Sequence, residues 1–214
     1  MRKISEAKLK LERIRLEGMR GFENRYKEFT YIAGVDEAGR GPLAGPVVAA
    51  AVILPEDAFL PFLNDSKKVS EKRREVLFDE IKYTAIAYGI GIASNAVIDD
   101  INILQATYVA MREAISALKK TPNIILVDAV NIPGVNIKQV GIVKGDAKSV
   151  NIAAASILAK VTRDKIMSEY DKIYPEYAFA SNKGYGTAAH IKALREYGPC
   201  DIHRKTFIGN FISE

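Results

Sequence analysis

The chain alternates short apolar runs with longer amphipathic stretches, a pattern that predicts strands and helices in turn along the sequence. β-Prone runs occupy residues 31–35, 47–54, 85–93, 124–127 and 139–143. Helical patterns occupy residues 4–22, 70–82, 102–119 and 151–173, and a final helix follows the glycine-bearing loop at 181–187. Because a helix separates two strands, we expect a partly parallel sheet and an α/β fold with a helical C-terminal part.

The first helix is predicted to be basic and amphipathic. Its apolar residues recur at helical spacing, opposite Lys and Arg, at Ile4, Ala7, Leu11, Ile14 and Phe22. We expect residues 1–29 to form this N-terminal helix and residues 30–214 to form one domain. The helical C-terminal part of that domain is expected to cover about residues 170–214.

Composition favours a cytoplasmic protein with no membrane association. Hydrophobic residues make up 48% and charged residues 27% of the chain, as in ordinary soluble domains. The longest apolar run, residues 47–54, is far shorter than the roughly 18 residues of a membrane span. The N-terminal stretch lacks the apolar core of a secretory signal, and the single cysteine, Cys200, permits no intrachain disulfide. A monomer is the default expectation.

Positive charge is concentrated at the N-terminus. The net charge of the chain is +5, and residues 1–30 hold nine Lys or Arg against five Glu. A basic segment suits a polyanionic partner, because neutralising phosphates releases condensed counterions. A solvated helix face explains the same charges equally well.

Acidic residues follow three of the predicted strands. Asp36 and Glu37 come after the first strand, Asp128 after the fourth, and Asp146 shortly after the fifth. Ligands bind beyond the carboxyl ends of strands in open α/β sheets, so these acids can converge. Clustered carboxylates repel unless a cation neutralises them, and an all-oxygen set suits Mg²⁺ or Mn²⁺ better than zinc. Each acid alone also fits a turn or a cap, so the repetition carries the interpretation.

Adjacent side chains of a regular strand point to opposite faces, which affects Asp36 and Glu37. For both to reach one site, the strand must end at Glu37. Gly39 and Gly41 supply such a break, because glycine adopts conformations that other residues avoid. The glycines on either side of Arg40 would also let backbone N–H groups approach an anionic backbone, although a tight turn alone explains them too.

The segment from Asp36 to Val47, DEAGRGPLAGPV, resembles the signature of ribonuclease HII, a bacterial type 2 ribonuclease H. The resemblance covers about residues 31–208 and continues in residues 65–68, 102–107, 127–128, 144–149, 153–164 and 183–187 and at His190. It implies a ribonuclease H-like mixed β-sheet flanked by helices, with a helical C-terminal extension that holds the substrate.

The resemblance also implies an activity and a catalytic set. The family's catalytic and metal-binding residues match Asp36, Glu37, Asp128 and Asp146. The implied reaction is two-metal-ion hydrolysis on the 5′ side of a ribonucleotide embedded in or paired with DNA, leaving a 3′-hydroxyl and a 5′-phosphate. We expect Mn²⁺ or Mg²⁺ as cofactor, with Asp36 bridging two ions. The expected substrates are RNA/DNA hybrids and duplex DNA containing ribonucleotides, and the expected role is removal of misincorporated ribonucleotides and RNA primers.

Further residues are expected to contact the substrate. By the resemblance, Gly39, Arg40 and Gly41 sense the ribose 2′-hydroxyl at an RNA-to-DNA junction, and Tyr185 stacks on the adjoining deoxyribose. Candidate phosphate contacts are Lys67, Lys68, Lys148, Arg204 and Lys205. Without the resemblance, these charges would be solvated and Tyr185 would pack within its loop. His190 is expected to be a structural hydrogen-bonding residue.

Three other functions fit parts of this sequence. The related ribonuclease HIII carries a long N-terminal substrate-binding domain in place of this short basic stretch, which favours ribonuclease HII. A non-catalytic nucleic-acid-binding module would not need all four acids. A nucleotide-binding metabolic enzyme is disfavoured because residues 39–41 lack both the dinucleotide Gly-x-Gly-x-x-Gly spacing and the Lys-Ser/Thr ending of a P-loop.

Overall fold

Five strands form one mixed sheet in the computed structural model, which describes residues 5–212. The strands are β1 (Ile32–Ala38), β2 (Val47–Ile53), β3 (Ala87–Ala93), β4 (Ile124–Asp128) and β5 (Lys138–Ile142). Their order across the sheet is β3-β2-β1-β4-β5. Every strand lies where an apolar run predicted one, so the period-two and all-apolar patterns were sufficient to find them.

The pairing of the strands places three carboxyl ends at one edge of the sheet. β1 is antiparallel to β2 and parallel to β4, and β4 is parallel to β5. β2 and β3 are antiparallel. The sheet is therefore mixed, as predicted, and the chain leaves β1, β4 and β5 on the same side.

Helices cover both faces of the sheet. They are α1 (Glu6–Met19), α2 (Gly21–Arg25), α3 (Glu71–Thr84), α4 (Asn95–Ser116), α5 (Val150–Ile173), α6 (Phe179–Asn182), α7 (Ala188–Tyr197) and α8 (Lys205–Ile208). One apolar core joins α1, α3 and α5 to the sheet, and another joins α4 to the opposite face. The last three helices form the predicted C-terminal helical part. No helix within residues 5–212 is long and apolar enough to cross a membrane.

Helix α4 begins earlier than the sequence pattern predicted. The expected start, residue 102, is a break inside the helix, where Asn102 has φ 68° and ψ 163°. The Asn102 side-chain oxygen accepts hydrogen bonds from the N–H groups of Leu104 and Gln105 at 3.0 and 3.1 Å. Asn102 therefore caps a second helical segment, and the pattern found that segment while missing the preceding turn or two.

Helix α1 packs through a different face from the one predicted. Of the expected apolar stripe, Leu11 is 67% and Ile14 is 64% exposed, while Ile4 lies outside the described residues. The buried residues of α1 are Leu16 and Met19. The structure divides the predicted helix into α1 and α2. Phe22, the last residue of the predicted stripe, lies in α2 and packs against the core, whereas Leu11 and Ile14 do not.

Two polar contacts of α1 are consistent with the orientation of the helix about its axis, with Leu16 and Met19 facing the core. The Glu12 carboxylate accepts a hydrogen bond from the Phe62 N–H at 2.7 Å, and the Arg15 guanidinium donates to the Leu63 carbonyl at 2.7 Å. These bonds satisfy backbone groups of the loop between β2 and α3. They turn the Leu16 side of the helix inward, and a pattern based on hydrophobicity alone does not register them.

Candidate active site

The four acidic residues arrive at one edge of the sheet from three elements. Asp36 and Glu37 lie near the end of β1, Asp128 ends β4, and Asp146 lies in a 3-10 turn, Gly145–Ala147, that follows β5. All four line one cavity of about 260 Å³. The same cavity is lined by other residues expected at the site, namely Gly39, Arg40, Gly41, Lys67 and Tyr185.

Strand β1 does not end at Glu37, so that prediction is wrong. Glu37 pairs with Ala49 across β2, and the strand continues to Ala38. On its other side, the ladder with β4 stops at the pair Val35–Val127. Among the residues that the structure describes, no strand pairs with that side of β1 beyond Val35. Both carboxylates line the cavity without a break in the strand.

The acids lie in an environment that opposes their simultaneous ionisation. Burial, followed by the charge of Glu37, raises the pKa of Asp36 well above its ordinary value. Burial also raises the pKa of Glu37, although the guanidinium of Arg40, 3.4 Å from its carboxylate, acts in the opposite direction. Burial and nearby acids raise the pKa of Asp146. A bound cation would relieve this repulsion.

The donor set suits a hard divalent cation. The acids that line the cavity offer carboxylate oxygens, the ligands that Mg²⁺ and Mn²⁺ prefer. One Asp128 oxygen already accepts a hydrogen bond from the Gly145 N–H at 2.7 Å. Within residues 5–212 no three acidic, His or Cys side chains are arranged as a ready-made metal site. The residues therefore fit a cation by their chemistry, with further oxygen ligands needed from a phosphate or from water.

Helix α5 contributes cavity residues that the sequence analysis did not single out. Ser156, Lys160 and Arg163 lie on one face of α5 and line the cavity, together with Ser66. The Ser156 hydroxyl donates to the Ser66 hydroxyl at 2.9 Å, and the Lys160 ammonium lies 2.6 Å from Asp164. Ser156 and Lys160 are the only polar residues of the apolar run 152–161, and their spacing of four residues is the signal that could have identified them.

Arg163 holds the loop that follows β1. It is 1% exposed, and its guanidinium donates to the carbonyls of Pro46, Lys183 and Ala44 at 2.9, 2.8 and 3.0 Å. Burial lowers its pKa to about 10. Gly39 has φ +99°, and a Cβ added there would lie 2.1 Å from the Arg163 Nε atom. The glycine is therefore needed for both its conformation and its close approach.

Arg204 is buried and is not available as a phosphate contact, so that prediction is wrong. Its exposed fraction is 0%, and its guanidinium donates to the carbonyls of Gly45 at 3.0 Å, Arg40 at 2.9 Å and Gly39. Burial lowers its pKa to about 9. The sequence shows a positive charge at this position but not that backbone carbonyls surround it. Arg204 therefore shapes the Gly39–Gly41 segment from behind.

Two buried histidines support the backbone of Tyr185, whose side chain is 45% exposed. His190 Nδ1 lies 2.9 Å from the Tyr185 carbonyl, and its Nε2 lies 3.0 Å from His203 Nε2. The Cys200 N–H donates to His203 Nδ1 at 3.0 Å. One proton arrangement satisfies all three contacts: His190 donates to Tyr185, and His203 donates to His190. His190 is a structural hydrogen-bonding residue, as expected.

The remaining candidate phosphate contacts lie outside the cavity. Lys68 lines a separate depression beside Glu12 of α1. The Lys148 ammonium donates to the Val143 carbonyl at 2.9 Å in the turn before α5. Lys205 is exposed at the start of α8. Of the predicted phosphate-binding side chains, Lys67 is the one that the structure brings to the acids.

Known proteins resemble this chain in both sequence and fold. A family model described as Ribonuclease HII matches residues 33–210. A ribonuclease HII from Lachnoclostridium phytofermentans is 60% identical over 206 residues, covering 96% of this chain and 81% of that protein. Another, from Caldanaerobacter subterraneus subsp. tengcongensis, is 59% identical, covering 97% and 88%. The crystal structure of ribonuclease H2 from Pyrococcus horikoshii aligns with a TM-score of 0.71 at 26% identity, covering 86% of this chain and 97% of that one.

Proposed function

The chain belongs to the ribonuclease HII family and is therefore a ribonuclease H, and we propose that it incises duplex DNA on the 5′ side of single embedded ribonucleotides and cleaves the RNA strand of RNA/DNA hybrids. The products are a 3′-hydroxyl and a 5′-phosphate. The proposal includes removal of misincorporated ribonucleotides and of RNA primers, by a monomer in the cytoplasm.

The observation that carries this proposal is the composition of the cavity. Four carboxylates lie beside a glycine-rich loop and an exposed tyrosine in a space of about 260 Å³. The acids suit divalent cations, the loop offers backbone groups to a sugar–phosphate chain, and the tyrosine offers a flat surface for stacking. Each of these features matches one part of a ribonucleotide next to a deoxyribonucleotide.

The substrate-binding residues have distinct roles in this proposal. The Gly39–Gly41 backbone contacts the ribose 2′-hydroxyl, the group that distinguishes RNA from DNA at one nucleotide. Tyr185 stacks on the deoxyribose that follows. Lys67 contacts a phosphate and so sets the register of the duplex without reading its sequence. Arg163 and Arg204 keep the loop in place through its carbonyls and leave its outer side free for the substrate.

Asp36, Glu37, Asp128 and Asp146 are the residues that would hold two Mg²⁺ or Mn²⁺ ions. When bound, such ions supply Lewis-acid stabilisation for the attacking water and for the leaving 3′ oxygen. The four carboxylates would hold the ions at this edge of the sheet, and Lys67 and the Gly39–Gly41 loop would position the scissile phosphate beside the carboxylates. Raised pKa values of the free acids mean that protons compete with the metal at low pH.

The test is cleavage of a DNA duplex that contains one ribonucleotide, compared with an all-DNA duplex of the same sequence. Each is incubated with Mg²⁺, with Mn²⁺ and with a chelator. We expect metal-dependent incision on the 5′ side of the ribonucleotide and no incision of the control. Tight binding without incision in either metal would instead indicate a non-catalytic nucleic-acid-binding module.

A further inference from the structure

Glu23 is a buried carboxylate that the proposed chemistry does not use. It lies in α2, within the N-terminal segment, and is 8% exposed. One of its oxygens accepts hydrogen bonds from the Ser149 hydroxyl at 2.5 Å, the Asn151 N–H at 3.1 Å and the Asn151 side-chain amide at 3.2 Å. These partners are 126 and 128 residues away in the sequence. The contact therefore joins the N-terminal segment to the start of α5.

The Glu23 carboxylate lies at the start of helix α5. Within residues 5–212, no Lys or Arg nitrogen lies within 4.0 Å of the Glu23 carboxylate. Ser149 is the N-cap of the 24-residue helix α5 and accepts a hydrogen bond from the Ile152 N–H. Unpaired N–H groups and the helix dipole favour a negative charge at this end. Glu23 thus acts as a second capping group supplied from outside the helix.

A short path of hydrogen bonds leads from Glu23 to the acids of the cavity. The Ser149 hydroxyl donates to the Glu23 carboxylate, and the Ser149 N–H donates to the Gly145 carbonyl at 2.9 Å. The Gly145 N–H in turn donates to an Asp128 oxygen at 2.7 Å. Asp146 is held within the same turn, between Gly145 and Ser149. The position of Ser149 therefore constrains two of the four acids.

We propose that Glu23 is a positioning residue for the metal site: it fixes Ser149 and the 145–149 turn, and through that turn it sets the placement of Asp128 and Asp146. This inference rests on the proposed function, in which those two acids bind metal. It gives the N-terminal segment a role in activity that does not require contact with the substrate. The second Glu23 oxygen is buried and has no hydrogen-bond partner among residues 5–212.

The experiment compares the full-length wild-type chain with Glu23→Ala and Glu23→Gln. Because groups that orient metal ligands affect affinity ten- to a hundredfold, we expect Glu23→Ala to raise the half-saturating Mn²⁺ concentration for incision about tenfold. Its kcat at saturating metal should stay within about threefold of wild type. Glu23→Gln keeps an acceptor oxygen and should recover most of the affinity. Should Glu23→Ala fail to fold, Glu23→Gln still carries the comparison, with a smaller expected shift in the same direction.

Amide hydrogen exchange without metal gives a readout independent of turnover. In Glu23→Ala, exchange of the Gly145 and Ser149 amides should accelerate at least about tenfold while that of Ala50 in β2 is unchanged. Glu28→Ala, which removes an exposed glutamate from the same segment, is the matched control and should behave as wild type. Equal acceleration at Ala50, or an unchanged half-saturating Mn²⁺ concentration, would show a purely structural role and overturn the inference.

The two proposals fail in different ways. A wild-type chain that does not incise in any metal refutes the proposed function. In that case calorimetric Mn²⁺ binding and the exchange of Gly145 and Ser149 still decide whether Glu23 controls the turn and the site. A wild type that incises, together with a Glu23→Ala variant whose turn exchanges normally, refutes only the positioning role.

Discussion

Some charged side chains of this protein line the cavity, and others are buried behind it, where they donate hydrogen bonds to the backbone of the loop that lines it. Charge alone does not separate them: Lys67 lines the cavity, whereas Arg204 is buried behind it among backbone carbonyls. A sequence identifies both as cations. Only the surrounding groups decide whether a cation is free to contact a phosphate or is committed to the fold.

The first prediction concerns Asp128. Asp128→Asn removes a proposed metal ligand and one negative charge while leaving the loop and Lys67 in place. Incision should fall by more than about a hundredfold, beyond the effect typical of groups that merely support a ligand. Affinity for an RNA/DNA hybrid, measured by fluorescence anisotropy, should change less than about threefold. Near-normal incision by this variant would contradict the metal assignment.

A second prediction concerns the buried histidine pair. Burial, reinforced by His190, lowers the pKa of His203 to about 4 from its ordinary value of 6.5. Between pH 6.5 and about 4, His203 is protonated in the unfolded chain but neutral in the folded chain. The free energy of unfolding therefore decreases as the pH falls through this range. His203→Gln removes this titration, so its free energy of unfolding should fall less steeply over that range, by up to about 1.4 kcal/mol per pH unit.

Urea denaturation at several pH values between 4 and 8 checks this difference. The variant is expected to be less stable than wild type at pH 7.5, because its amide cannot reproduce both ring contacts of His203. The slopes, rather than the stabilities, are compared. Parallel curves for the two proteins would contradict the proposed titration of His203.

Secondary-structure elements were predictable in kind but not in orientation. The spacing of apolar residues predicts α1 as a helix, yet the residues it marks as the buried face, Leu11 and Ile14, are exposed. Two polar bonds to the loop at residues 62–63 decide the rotation instead. The end of β1 is a similar case. The alternation of side chains in a strand predicted a break at Glu37, but β4 stops pairing with β1 at Val35, and both carboxylates reach the cavity without that break.

A third prediction tests the packed face of α1. The double variant Leu16→Ala/Met19→Ala should lose at least about 4 kcal/mol of unfolding free energy, since each truncation of a buried Leu or Met costs roughly 2–5 kcal/mol. The matched variant Leu11→Ala/Ile14→Ala should stay within about 0.5 kcal/mol of wild type, as exposed positions usually do. Chemical denaturation measures both. A larger loss of unfolding free energy in the Leu11→Ala/Ile14→Ala variant would indicate that this face of α1 is the packed one.

The molecule as a whole brings together residues that the sequence keeps far apart. Parallel pairing of β1, β4 and β5 gathers the acids at one edge, and the C-terminal helices return Arg204 and Tyr185 to the loop after β1. The opposite edge of the sheet, where β4 begins, lies away from the cavity. Substrate contacts should therefore be confined to one side of the protein.

The fourth prediction follows from that asymmetry. Binding of an RNA/DNA hybrid should weaken with salt, and Lys67→Met should reduce the slope of log K against log salt by about 0.9, as for the loss of one phosphate contact. Lys119→Met, which removes an exposed lysine just before β4, is the control and should leave the slope unchanged. Equal slopes for all three proteins would remove Lys67 from the interface.

Apolar spacing indicated the strands, the long helices and a partly parallel sheet, because these are expressed in local patterns. The mixed sheet and the family were implied by the resemblance that the unbroken segment from Asp36 to Val47 carries. The fold decided which helix face packs, where α4 is interrupted, which cations are buried and how Glu23 reaches Ser149. These features depend on contacts between residues far apart in sequence. A hydrophobicity pattern describes neighbouring residues only, so it cannot predict the hydrogen bond between Glu23 and Ser149, which are 126 residues apart.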